Sequence, residues 1–96
     1  MSEPFADERW EYYLEYITTE TNREQAFLQE NFPGKALPRY AVQAALPRLN
    51  AIGEQGWELV QMEPVSLGFN GDVLVAGGES RQWTRTYFCV FKRRKT

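Results

Sequence analysis

Ninety-six residues make one domain by size, 1–96, because a second core would not fit; 43% apolar and 25% charged residues are the proportions of an ordinary globular chain. The sequence holds no histidine and one cysteine, Cys89. That excludes an intrachain disulfide, the familiar zinc sites and the commonest general base.

The net charge of −2 conceals a gradient. Residues 1–32 carry eight acids and two bases, whereas residues 81–96 carry six bases and no acid. Residues 1–8 are polar and are expected to be disordered. The acidic start from Met1 to Glu11 has no apolar run and does not read as a signal peptide. No stretch reaches the ~18 apolar residues of a membrane span, so the expected location is the cytoplasm.

Trp10 to Thr19 is aromatic and β-branched and predicts a strand. One of its faces, Trp10, Tyr12, Leu14 and Tyr16, is richer in apolar groups than the other, Glu11, Tyr13, Glu15 and Ile17. A short helix is predicted over Arg23–Asn31, capped by Thr21 or Asn22 and ended by Pro33-Gly34. A main helix is predicted from near Pro38 to Ile52, with a kink or break at Pro47, which lacks a backbone donor. Gly53 and Gly56 offer left-handed positions to stop it.

Trp57 to Leu67 predicts a second strand, with Pro64 placing its far half at an edge or bulge. The segment 68–80 is a glycine-rich loop in which Val73-Leu74-Val75 can add a short extended piece. Gln82 to Lys92 is the strongest strand signal, and Arg93 to Thr96 forms a basic tail. The predicted fold is therefore α+β: a three-stranded antiparallel sheet in the order 1-3-2, a main helix on one face and an extra short helix. Glu11 and Glu15 are expected to neutralise a strand carrying Arg81 and Arg85.

Both faces of this sheet read as apolar. On the last strand one face carries Phe88 and Val90, the other Trp83, Tyr87, Cys89 and Phe91. On the second strand Trp57, Leu59, Val65 and Leu67 alternate with Val60 and Met62. A sheet with one wet face should alternate apolar with polar residues. Either the two helices divide between the faces, or another copy or partner covers the second one. Trp83, Arg85, Tyr87, Phe91, Trp57 and Met62 are the residues expected to form such an interface or ligand face.

Catalytic and cofactor chemistry is not expected. Cys89 lies between Phe88 and Val90 with no base beside it. Gly77-Gly78-Glu79-Ser80 lacks the spacing and lysine of a phosphate loop, and Asn70, Asp72 and Glu79 lack the ligand spacing of a calcium loop. Two alternatives to self-association or protein binding carry weight. Arg81, Trp83, Arg85, Tyr87 and Phe91, followed by Lys92 to Lys95, interleave bases with aromatics as single-stranded nucleic-acid platforms do. The 68–80 loop, walled by Trp57, Trp83 or Tyr16, could take a small ligand.

Three pieces carry a resemblance: Trp10-Glu11-Tyr12, the stretch Leu49 to Val60 (LNAIGEQGWELV), and Tyr87 to Arg93 (YFCVFKR). Together they resemble the small bacterial proteins grouped as domain of unknown function 4177, over about 10–19 and 40–94. The resemblance implies the same strand–helix–strand–strand order. It brings no activity, cofactor or site residue. Residues 20–38 and 68–80 look like additions to that pattern.

Overall fold

The computed structural model describes residues 8–67, 73–75 and 84–95. The chain runs β1 (Trp10–Thr18), α1 (Gln25–Asn31), α2 (Leu46–Gly53), β2 (Glu58–Leu67), β3 (Val73–Val75) and β4 (Thr86–Arg94). The sheet is antiparallel in the order β1-β4-β2-β3. The predicted α+β fold and the order 1-3-2 of the three long strands are present. The short piece at 73–75 adds a fourth strand on the outer side of β2.

β4 is central, and of the three long strands it contributes the two most enclosed core side chains, Cys89 and Phe91. It pairs with all nine residues of β1, from Trp10 opposite Arg94 to Thr18 opposite Thr86. Arg93 and Arg94, expected in a tail, are the last paired residues of this strand. Residues 1–7, 68–72, 76–83 and 96 lie outside the described residues, and with them most of the 68–80 loop and the predicted start of the last strand at Gln82.

Both helices begin later than the sequence pattern suggests. A 3-10 turn at Thr21–Glu24 precedes α1, and another at Val42–Ala45 precedes α2. Pro47 therefore breaks nothing. It sits in the first turn of α2, where its missing N–H would have had no helical partner. Thr21 is not a cap. Its buried hydroxyl donates to the Pro38 carbonyl at 2.5 Å and accepts from the Ala41 N–H at 3.3 Å, tying the 21–31 segment to the approach of α2.

Only Gly56, at φ +92°, is a left-handed stop after α2; Gly53 is the helix's last residue, and its φ is not positive. A Cβ at Gly53 would meet nothing within 4 Å. Gly53→Ala should therefore stabilise the fold, by about 0.5–1 kcal/mol, through helix propensity and a less flexible unfolded chain. Chemical denaturation would show this as a higher midpoint at unchanged slope.

The core lies between the sheet and α2. Ile17, Ala45, Ile52, Cys89 and Phe91 are buried together, with Tyr13, Leu49, Trp57, Met62 and Tyr87 packed around them. In β2 the register slips between Leu59 and Gln61, so Val60 is an extra residue. This bulge reverses the alternation within the strand. Leu59 and Met62 both oppose core-facing residues of β4, Phe91 and Cys89. Gln61, Glu63 and Val65 oppose Val90, Phe88 and Thr86 on the other face. The uninterrupted alternation assumed from the sequence, with Leu59 and Val65 together against Val60 and Met62, does not survive the inserted residue.

Candidate functional site: the open face of the sheet

The face turned towards α2 takes the residues of β1 that carry charge. Tyr13 stacks 5.7 Å from Trp57 and 5.9 Å from Phe91, centroid to centroid. Glu15 receives two hydrogen bonds from the Arg48 guanidinium of α2, at 2.6 and 2.7 Å, and a third from the Tyr13 hydroxyl. Those Arg48 bonds hold the Glu15 carboxyl below its usual range, although burial opposes them. The Tyr13 phenol is pushed up, first by its bond to Glu15 and then by burial. Glu11 takes a 2.6 Å bond from Arg93, which also lies 4.1 Å over the Trp57 ring. Among the described residues Glu11 and Glu15 are thus neutralised by Arg93 of β4 and Arg48 of α2, not by Arg85; the expected role of Arg81 lies outside the described residues.

The opposite face of β1 projects Trp10, Tyr12, Leu14 and Tyr16, which are 41, 63, 59 and 42% exposed. Beside them on β4 stand Phe88, Val90, Lys92 and Arg94, and on β2 Gln61 and Glu63. Phe88 packs against Tyr16 at 5.5 Å, and the Lys92 ammonium lies 4.4 Å over the Trp10 ring. Val60, pushed out by the bulge, is 53% exposed. The face is open from Trp10 to Tyr16, whereas at its other end Val65, opposite Thr86, is 4% exposed. A row of four large side chains left this open is uncommon on a monomer surface and is the usual mark of an interaction site.

Of the six residues singled out from the sequence, the five that are described stand elsewhere than in this row. Phe91 is 1% exposed, and Tyr87, Trp57 and Met62 pack around the same core under α2. Arg85 is exposed and lies 5.7 Å from the Tyr40 ring, at the end of the sheet. Trp83 lies outside the described residues. β4 carries apolar residues on both faces; the row on the open face is Phe88 and Val90, and the principal contributor to that face is β1.

Other chemistry is sparse. Cys89 is fully enclosed, and burial followed by the Glu15 charge pushes its thiol up, against nucleophilic use. Among the described residues no three metal-ligating side chains gather. A surface depression of about 300 Å³ between α1 and residues 32–37 is lined by Thr21, Gln25, Leu28, Phe32 and Leu37 among others, and Lys35 is the one charged group in its wall. No helix among the described residues is long and apolar enough to cross a membrane. Comparison with protein-family models, with curated proteins and with solved structures finds no match for this chain.

Proposed function

We propose that this protein is a non-enzymatic association module that joins a second copy of itself through the open face of its sheet. The observation that supports the reading is the uncovered row Trp10, Tyr12, Leu14 and Tyr16. Aromatic residues on a rigid sheet lose little freedom when buried and supply most of the energy of small interfaces. The sequence's lack of histidine and the enclosure of Cys89 support a role in binding rather than in chemistry.

A second reading places single-stranded nucleic acid on the same face, with bases stacked on Trp10, Tyr12 and Tyr16 and phosphates near Lys92 and Arg94. The charge of the face argues for the first reading. Glu63 stands on it, Glu58 pairs across from Lys92, and Arg94 lies 3.8 Å from Glu8. A surface of mixed sign suits another protein surface better than a polyanion.

The test is the mass in solution. Light scattering after gel filtration should give a dimer at tens of micromolar. Leu14→Asp should weaken association 100-fold or more while leaving the circular dichroism of the monomer intact, because Leu14 is already 59% exposed in the single chain. A wild-type protein that stays monomeric and soluble at these concentrations would refute the proposal.

A further inference from the structure

The open face carries polar groups in an order that selects one way of pairing two copies. Three residues lie abreast at its middle, because Leu14 and Gln61 both oppose Val90. Two residues further along β4 in one direction come Tyr12, Lys92 and Glu58; in the other come Tyr16, Phe88 and Glu63. Gln61 donates one amide hydrogen to Glu63 of its own strand, and its oxygen and second hydrogen have no partner among the described residues.

We infer that the two copies meet open face to open face, related by a two-fold axis that crosses the strands through Leu14, Val90 and Gln61. This rests on the association proposed above and fixes its geometry. Two sheets packed face to face keep their strands roughly aligned, so an isologous pair has two choices of in-plane axis.

An axis along β4 lays each β4 residue over its own image. Lys92 then meets Lys92 and Arg94 meets Arg94, while Gln61 is pressed against Leu14 of the second copy. An axis across the strands reverses the partner end for end. Leu14 meets Leu14, Val90 meets Val90, and the two Gln61 amides face each other, where each can both donate and accept. Tyr12 lies over Tyr16 of the second copy. Lys92 lies over Phe88 of the second copy, and on the neighbouring strand Glu58 lies over Glu63 of the second copy, so Lys92 is the cation beside a pair of carboxylates. Only the second arrangement matches apolar with apolar and separates the cations.

The area suits a weak association. Nine-residue strands give a length of about 30 Å, and the three long strands a width of about 14 Å. Each copy therefore offers roughly 420 Å², and the pair about 850 Å², the size of a weak, reversible contact.

Two measurements on the full chain test the orientation. The wild type is the labelling control, because Cys89 is enclosed. In Arg94→Cys carrying a nitroxide, the crossing axis puts the two labels on opposite ends, eight residues apart along the strands. The expected label separation is about 27 Å or more, against about 10 Å if Arg94 lies over its own image. Lys92→Glu should weaken dimerisation about tenfold or more, because it adds a third carboxylate beside Glu58 and Glu63 of the second copy, whereas Glu63→Lys, which faces Glu58 of the second copy, should tighten it. A dimer with the short separation and no response to these changes overturns the orientation while leaving the association proposal standing. A chain that is monomeric throughout overturns both, and if it also binds a labelled oligouridylate at low salt the face is a stacking platform instead.

Discussion

Phe91→Ala should lower stability by about 3–5 kcal/mol, which is most of what a domain of this size possesses. The side chain is 1% exposed and sits between Tyr13, Ile17, Ala45 and Ile52, so its removal leaves a cavity that β4, paired on both sides, cannot close. Phe91→Leu should lose much less, about 1–1.5 kcal/mol, because volume is largely kept. Urea unfolding followed by circular dichroism gives both numbers. The experiment also separates two roles for this residue. If Phe91 belonged to an interface, the alanine variant would dissociate and stay folded. Its position under α2 requires it to unfold. A variant that is monomeric, folded and of near wild-type midpoint would contradict the packing described here.

That distinction marks where the sequence was legible and where it was not. Strand order followed from β4 alone, since a strand apolar on both faces must lie inside the sheet with neighbours on either side. Which face of β1 is buried did not follow. Counting apolar groups favours Trp10, Tyr12, Leu14 and Tyr16 as the core side. The structure buries the mixed side, because each of its carboxylates has a dedicated guanidinium: Glu11 with Arg93, and Glu15 with Arg48. A charged residue in a strand pattern reads as solvent-facing only when no partner waits across from it, and Arg48 lies 33 residues away on a helix. Val60 hid the second error. A single inserted residue exchanges the faces of everything after it, and nothing in WELVQMEPV marks it as the bulge. The helix starts were misplaced because Pro38 and Pro47 both suit a first turn, and only packing of Ala44, Ala45 and Ile52 chooses the later one.

The Glu15–Arg48 pair should make stability depend on acid in a way that one substitution removes. Glu15 is held below its ordinary range, first by the Arg48 hydrogen bonds. The unfolded chain therefore takes up a proton at a higher pH than the folded one. The stabilisation is complete above the ordinary carboxylate pKa and is lost as pH falls through the lowered folded value. Arg48→Ala leaves the carboxylate, whose side chain is only 18% exposed, with the Tyr13 hydroxyl as its remaining side-chain donor. At neutral pH the variant should be less stable by about 1–2 kcal/mol, the lower part of the range for a deprived buried acceptor, because Arg48 itself is 47% exposed and screened by water. Between pH 7 and 3 the gap between wild type and variant should close, since the protonated acid needs no cation. Without Arg48, burial is opposed only by the Tyr13 hydrogen bond, so the carboxyl is held down less and the variant itself should lose less stability on acidification. Thermal melts across that range read the difference directly. A gap that stays constant with pH would mean that Arg48 contributes only the packing of its aliphatic stem across β1, and that the charge on Glu15 is neutralised elsewhere.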